Sequence, residues 1–483
     1  MMIYLVLACT LLGIPLLAIW GSERWGAWLF IVINALTLLA ILALSARVLQ
    51  SGSFTAGDDQ FMVDDLNMLL VLVDGVVGLG AAFYSRSYMV HEIIHWSLTP
   101  GRMRLYHAMF QTFLSTMLLA LLTNNMGILW VALEGATLST VLLVSLFHTA
   151  EGLEAAWKYF ILCGVGLAMA LFGTIMLYFA AQRTLGDGAD ALLWTHLDAI
   201  RHQLQPQIMA IAFIFILVGY GTKVGLVPLH NWLPDAHAGG PSSVSAVLSG
   251  LLLNVALYAV LRAKVLTDGA LGTIFAGRLL MGFGLLSLLV ASFTMLRQRD
   301  VKRLFAYSSI EHMGIATFAF GIGSPIAIFA GLLHMIGHSL TKSSVFFSVG
   351  LSVQSVGSRE IQRIHGIMKI NPFLGWAFML GVLFILGMPP SSLFLSEFLI
   401  IISTLQSQPW LIPMLLLGMG VAFAAIFPRL QAMVFGSIPQ NAIRTSTIGN
   451  IPAFIQLTLV VLLCVFIPLI LVQWIQHAAS LLQ

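Results

Sequence analysis

Long apolar segments recur along almost the whole chain, and they constrain its fold more than any other feature. A transmembrane helix needs about 20 consecutive, mostly apolar residues, and the sequence offers about fourteen such segments. Charged residues make up only 8% of the chain, whereas a soluble protein carries about 25%. Such a chain cannot cover its surface with polar side chains. The sequence therefore predicts an all-α polytopic membrane protein in contact with lipid.

Two of the predicted spans, the seventh and the twelfth, are interrupted by proline. Pro228 and Pro234 break the seventh, and GMPP at residues 387–390 breaks the twelfth. Because these spans lie five apart in the order, the pattern hints at two related five-helix halves. The predicted spans lie near residues 2–20, 26–46, 65–84, 105–122, 125–147, 155–180, 208–226, 241–264, 271–296, 301–322, 325–353, 371–404, 409–428 and 452–476.

Basic residues in the loops predict the orientation. With the N-terminus outside, thirteen lysines and arginines, Lys302 among them, fall in cytoplasmic loops. Six fall on the other side, including Arg262 and Lys264. The first segment lacks a basic region and a small-residue cleavage site, so it is predicted to be a retained helix. Both termini are therefore predicted to lie outside the cytoplasm.

Ionisable side chains within the apolar segments are the candidate functional residues. Charge is costly there, and such side chains usually face a bundle interior or a wet cavity, where they often mark proton relays. The candidates are Asp74, Glu134, Lys158, Lys223, Glu311, His312, His334, His338, Lys342 and Glu397.

Lys223 lies in the broken seventh span, and Glu134 is its natural counter-charge. A desolvated lysine releases its proton more readily, and a paired carboxylate reverses this. A contact between the two that forms and breaks would switch the protonation of Lys223. His334, His338 and Lys342 follow one another at intervals of four residues and share one helix face. Histidine titrates near neutral pH and is a natural proton carrier.

Structural roles compete with the functional ones for several of these residues. Glu134 and Lys223 could simply lock two helices together. Lys158 lies near a helix start and could extend to the membrane interface. Asp74 could cap a helix or pair locally.

The same holds for the second half of the chain. Glu311 and His312 lie near the end of their span, where water could reach them. His334 and His338 could be satisfied structural histidines, and only their alignment with Lys342 favours a relay. Glu397 follows the GMPP break, which favours a functional role.

Several phrases of the sequence resemble the antiporter-like membrane subunits of respiratory complex I, membrane-bound hydrogenases and Mrp-type Na⁺/H⁺ antiporters. The resemblance extends from about residue 105 to 400 and is strongest to the hydrogenase-4 component F type, which belongs to formate hydrogenlyase-like complexes. The matching phrases are LLTNNMGILWVALEGATL, KVGLVPLHNWLPDAHAGGPSSVSAVLSG, VKRLFAYSSIEHMG, HMIGHSLTKSSVFFSVG and GMPPSSLFLSEF.

The resemblance implies about 14 transmembrane helices, with two inverted five-helix repeats and broken helices 7 and 12. It divides the chain into N-terminal helices (1–104), a first repeat (105–264), a second repeat (265–430) and a C-terminal helix (431–483). It also implies a bacterial inner membrane location with both termini periplasmic.

The family's functional positions fall on candidates already named. Its helix-five glutamate and helix-seven lysine fall on Glu134 and Lys223, and its helix-twelve ionisable residue on Glu397. Its helix-eleven relay falls on His334, His338 and Lys342. The sequence departs from several relatives in helix eight, where Asn254 replaces a lysine or histidine; asparagine can hold water but cannot take up a proton at neutral pH.

The proton pathway predicted from these positions also includes Lys158 and His312. His230, Asp235 and Ser242, around the break of helix seven, are expected to line a cytoplasmic entrance. Titratable histidines and lysines favour H⁺ over Na⁺, although Asp74 and the hydroxyl groups leave Na⁺ open.

The function implied is a proton-translocating subunit driven by electron transfer in partner subunits. Neither a cofactor motif nor metal-ligand spacing is visible, so no cofactor, no metal and no catalytic chemistry of its own are expected. The expected partners are paralogous antiporter-like subunits, peripheral hydrogenase or iron–sulfur subunits, and lipid, with no nucleic acid. Two alternatives stay open: a stand-alone or Mrp-like Na⁺/H⁺ antiporter, and a structural anchor that has lost transport.

Overall fold

The computed structural model describes residues 1–96, 98–186, 188–440 and 442–483 and is almost entirely helical. Among these residues, eleven segments are long and apolar enough to cross a membrane. The predicted polytopic helical fold is therefore confirmed. The helices are α1 (Met2–Trp20), α2 (Gly26–Ser51), α3 (Asp65–Trp96), α4 (Pro100–Leu122), α5 (Met126–Val144), α6 (Ala150–Leu185), α7 (Trp194–Ala199), α8 (Pro206–Val224), α9 (Trp232–Gly239), α10 (Ser242–Val247), α11 (Leu253–Leu271), α12 (Thr273–Met295), α13 (Val301–Ile322), α14 (Pro325–Val356), α15 (Ile367–Ile370), α16 (Pro372–Ile385), α17 (Ser392–Ser407), α18 (Ile412–Phe435), α19 (Ile451–Val465) and α20 (Leu469–Ser480).

Both helix breaks predicted from proline are present. The seventh span ends as α8 at Val224 and resumes as α9 at Trp232, and the twelfth is divided between α16 and α17. A glycine in the left-handed region follows each first half-helix: Gly225 has φ +81° and Gly387 has φ +65°. Such backbone is readily adopted by glycine and rarely by other residues. The sequence thus encodes each break twice, through a glycine and through the prolines that follow it.

Three details differ from the predictions. The predicted span 452–476 is two helices, because α19 ends at Val465 and α20 begins only after Pro468. A short antiparallel hairpin, β1 (Phe54–Ala56) with β2 (Phe61–Val63), lies between α2 and α3. The eleven segments do not include α13, α14 or the interrupted pair α16 and α17; the count of fourteen and the inverted repeats stay predictions.

Three basic residues assigned to loops are buried in helices instead. Lys302, Arg262 and Lys264 are each at most 4% exposed. Arg262 pairs with Asp64 and Lys264 with Asp268, because a charge withdrawn from water needs a partner. These residues carry no information about the side of the membrane, and the orientation stays a prediction.

Small residues set the spacing of the helices that carry the site. Where α6 packs on α8, a Cβ added at Gly219 would clash with the backbone of Ala170, and one at Gly173 would come within 2.8 Å of the carbonyl oxygen of Ala212. In membranes such small residues allow backbones to approach and replace the hydrophobic effect as the cause of association. This close pair fixes Lys223 of α8 against Tyr159 of α6.

Candidate functional site

Lys223 lies at the end of α8, beside the first helix break, and its side chain is fully buried. Its Nζ donates a hydrogen bond to the hydroxyl of Tyr159 at 3.1 Å. That hydroxyl also lies 2.7 Å from the Thr140 hydroxyl of α5. The ammonium is 4.7 Å from the Tyr159 ring and 5.8 Å from the Trp232 ring, close enough for cation–π attraction. Two aromatic faces and one phenol therefore surround this lysine.

Glu134 of α5 interacts electrostatically with Lys223 but does not touch it. Among the residues that the structure describes, no ion pair joins the two, and the buried Glu134 Oε2 has no hydrogen-bond partner. The predicted contact is thus open here, with Tyr159 on the ammonium instead. An open pair is one of the two states that a switching contact requires.

Lys342 of α14 is the second lysine buried without a carboxylate in contact. It is fully buried, and its Nζ donates to the backbone carbonyl of Phe305 at 3.0 Å. Glu311 of α13 interacts electrostatically with both Lys342 and Glu397. Glu311 thereby links the middle of α14 to the second broken helix.

His312, His334 and Glu397 form a compact group, which we call the His–His–Glu cluster. His312 Nδ1 lies 3.2 Å from His334 Nε2 and 3.8 Å from Glu397 Oε1. Glu311 and His312 are only 5% and 1% exposed, so the alternative that water solvates them at the end of their span is wrong. The helix end is covered because α13 packs against α14 and α17.

Asn254 holds α11 against α14 next to His338. Its amide donates to the Ser339 hydroxyl at 2.6 Å and to the Met335 carbonyl at 3.0 Å. A single π-helical turn at Leu248–Leu252 precedes it, and the Gly250 carbonyl there accepts from Ser339 at 2.5 Å. Such turns free backbone carbonyls and occur often at functional sites.

The buried row continues through His338, whose ring nitrogens have no hydrogen-bond partner among the described residues. Its ring centroid lies 5.7 Å from that of His312. The Oδ1 atom of Asn254 is buried and equally unpartnered within the part of the chain that the structure describes. These polar atoms face each other's helices and have room for a ligand with one or two hydrogens.

Lys158 lies apart from this row, at the surface. Its side chain is 49% exposed and contacts Glu154 at 2.6 Å and Asp235 at 3.3 Å. Asp235 also pairs with Arg303. This arrangement is the interface position that competed with a pathway role for Lys158. A cavity of about 330 Å³ opens beside these ion pairs.

The three residues expected around the entrance do not share a cavity. Asp235 lines the 330 Å³ cavity, whereas His230 and Ser242 are absent from its lining. His230 is 8% exposed and faces the Tyr307 ring at 6.2 Å. Ser242 is fully buried. The prediction of a common entrance at these residues therefore has no support from the geometry.

A second cavity of about 570 Å³ reaches Lys302, which sequence reasoning had assigned to a loop. The Lys302 ammonium donates to the Gly240 carbonyl at 2.8 Å. Beyond it lies His237, fully buried and stacked on Phe346 at 4.7 Å. His237 interacts electrostatically with Lys302 and with Lys342. The histidine of the PDAH phrase was the available sequence signal for this route, but it shares no helix face with the other candidates.

Asp74 of α3 is 2% exposed. Within the described residues its Oδ1 has no hydrogen-bond partner, and no ion pair involves its carboxyl group. The structure therefore provides neither the cap nor the local partner that a purely structural role would need.

Buried ionisable groups strung between two interrupted helices are the arrangement of an antiporter-like membrane subunit. The chain belongs to the NADH:quinone oxidoreductase/Mrp antiporter transmembrane family, whose pattern matches residues 123–423. It is 46% identical over 472 residues to a protein of Methylacidiphilum infernorum named hydrogenase-4 component F homolog, covering 98% of each chain. This confirms the resemblance to the component F type.

More distant relatives have the same fold. The chain is 27% identical over 384 residues to NADH-quinone oxidoreductase subunit N of Desulforudis audaxviator, covering 79% of this chain and 72% of that protein. A chain in the structure of the membrane-bound sulfane sulfur reductase, an archaeal respiratory membrane complex, superposes with a TM-score of 0.89 at 22% identity, covering 99% of this chain and 97% of that one. The relatives are subunits of multi-subunit membrane complexes, which supports membrane subunits as partners.

Proposed function

We propose that this chain moves protons across the bacterial inner membrane as a subunit of a membrane-bound hydrogenase of the formate hydrogenlyase type, driven by electron transfer in partner subunits. The observation that carries the proposal is that Lys223, fully buried, has a phenol and no carboxylate in contact. An ammonium buried without an ion pair is costly. Such a lysine can be held charged or neutral by small changes in its surroundings, as proton transfer requires.

The buried groups supply a route from one broken helix to the other. Lys223 and Glu134 form its first part, and Lys342 with Glu311 forms its middle. Lys302 and His237 connect the middle to the 570 Å³ cavity, which we propose as the cytoplasmic entrance. Water would bridge the remaining gaps, since the unpartnered polar atoms along the row are the ones that bind ordered water.

Glu134→Gln tests the switching role of the carboxylate. Glutamine keeps the shape and polarity but holds no negative charge, so the open and closed states of the pair would no longer differ in energy. Coupling between sites is typically about 1–3 kcal/mol, or roughly 5- to 150-fold. We expect the protons moved per electron to fall by a factor in this range in sealed vesicles containing the native complex.

The matched control for that variant is Glu23→Gln, a carboxylate exposed in the turn after α1. It should behave like the parent. If Glu134→Gln assembles fully and still moves protons at the parental ratio, Glu134 and Lys223 only hold helices together and the proposed route is wrong.

Tyr159→Phe tests the phenol contact separately. Phenylalanine keeps the ring under the ammonium and the stack with Trp232, which lies 4.6 Å away. It removes only the hydroxyl bound to Lys223. A hydrogen bond to a charged group contributes about 1.5–3 kcal/mol, so we expect proton movement to slow by about tenfold or more. An unchanged rate would show that the phenol is dispensable and that the carboxylate alone governs Lys223.

A further inference from the structure

The His–His–Glu cluster places three ligand atoms of the type that transition metals prefer within 4.8 Å of one another. All three side chains are buried, and they come from three different helices, α13, α14 and α17. The tertiary structure, not local sequence spacing, brings them together.

The partners of the two imidazoles define which nitrogens carry hydrogen. His312 Nε2 lies 2.9 Å from the Ile385 carbonyl, which can only accept, so Nε2 is the protonated nitrogen. The Ser396 hydroxyl donates its single hydrogen to the Leu393 carbonyl at 2.9 Å. It must therefore accept from His334 Nδ1, which lies 2.9 Å away. In the neutral rings His312 Nδ1 and His334 Nε2 are both bare.

These two bare nitrogens face each other at 3.2 Å, with a carboxylate oxygen beside them. Two lone pairs at this distance repel unless a cation lies between them. In tetrahedral zinc sites the Zn–N distance is about 2.0–2.1 Å, which places neighbouring ligand atoms roughly 3.3–3.4 Å apart. The observed separation fits that spacing, and Glu397 needs only a small side-chain shift to join.

We propose that His312, His334 and Glu397 form a binding site for a divalent transition-metal cation of the Zn²⁺ class, with a fourth position open to water. Two imidazoles and one carboxylate favour such ions over Na⁺, Mg²⁺ or Ca²⁺, which prefer oxygen ligands. The carbonyl of Ile385 and the hydroxyl of Ser396 orient the rings, as outer hydrogen bonds do in metal sites.

The cation has a route of access at the second helix break. Residues 388–390 are exposed, and the Glu397 carboxylate folds back over Gly387, immediately before them. A bound cation would occupy the nitrogens that a proton must use. If the proposed function holds, the ion therefore inhibits proton movement; binding itself does not depend on that function.

The test is Zn²⁺ binding to the purified, chelator-treated complex, measured by equilibrium dialysis without electron transfer. The parent should bind one more Zn²⁺ per complex than His334→Ala or Glu397→Gln. Ser396→Ala keeps all three ligands but removes the group that orients His334, and it should weaken binding about 10- to 100-fold. His237→Gln, which removes an equally buried histidine outside the cluster, should bind like the parent.

Equal Zn²⁺ stoichiometry in the parent and in His334→Ala would overturn the proposal, as would unchanged affinity in Ser396→Ala. Zn²⁺ inhibition of proton movement is a separate readout in vesicles. Binding without inhibition would keep the metal site and count against the proposed proton route. Inhibition that persists in His334→Ala would place the inhibitory ion elsewhere and reject this site as its cause.

Discussion

Lys223→Met is expected to reduce redox-driven proton movement by about a hundredfold, while electron-transfer subunits stay assembled. Methionine fills a similar volume against the Tyr159 and Trp232 rings, so packing is largely kept, but it can neither carry a proton nor respond to Glu134. A positioned proton-transfer group typically contributes about 10²–10⁴-fold to a rate. The measurement is proton movement and electron transfer recorded together in sealed vesicles of the native complex.

Lys369→Ala is the matched control, since this lysine is exposed on α15. It should leave both rates unchanged. Parental proton movement in Lys223→Met, with normal subunit composition on purification, would remove this lysine from the pathway and leave it a role in helix packing.

Arg262→Met is expected to cause the largest loss of stability. Arg262 is 2% exposed, and its Nη2 donates to Asp64 Oδ2 at 2.6 Å. Its Nε donates to the Tyr258 hydroxyl at 2.9 Å, and its guanidinium lies 4.3 Å from the Trp194 ring. Removing one partner of a buried ion pair costs about 3–5 kcal/mol, because the other charge remains buried without compensation. The thermal midpoint of the purified complex, followed by tryptophan fluorescence, should fall clearly.

Two further variants separate the charge from the packing. Adding Asp64→Leu removes the stranded carboxylate and should recover part of the midpoint. Arg201→Ala breaks a pair with Asp198 in which both side chains are about a third exposed; such pairs contribute about 0–1 kcal/mol. If Arg201→Ala lowered the midpoint as much as Arg262→Met, burial of the Arg262 pair would not explain the effect.

The sequence predicted those features of the fold that depend on local chemistry. Length and hydropathy gave the spans, and proline with glycine gave both breaks. Pro468 was overlooked because the apolar composition continues across it. The hairpin before α3 was also missed, since three-residue strands are too short to show a period.

The site could be predicted only in part, for a different reason. The ionisable residues announce themselves because charge is rare in an apolar helix. Their partners do not: Tyr159 is one aromatic residue among many until α6 and α8 pack together. His312 looked solvated because it lies one-third of the way along its span, and Lys302 looked like a loop residue because it begins one. Both judgements failed because neighbouring helices, invisible in the linear pattern, cover these positions.

The two breaks also create an electric asymmetry inside the membrane. Lys223 lies in the last turn of α8, where the unpaired carbonyls of the helix end carry about half a negative elementary charge. The Glu397 carboxylate reaches back towards the first turn of α17, whose free amide groups carry the opposite partial charge. Each interrupted helix thus presents its favourable pole to the side chain of opposite sign. Straightening either helix would remove that pole, so the backbone bends contribute to charge storage as well as to shape.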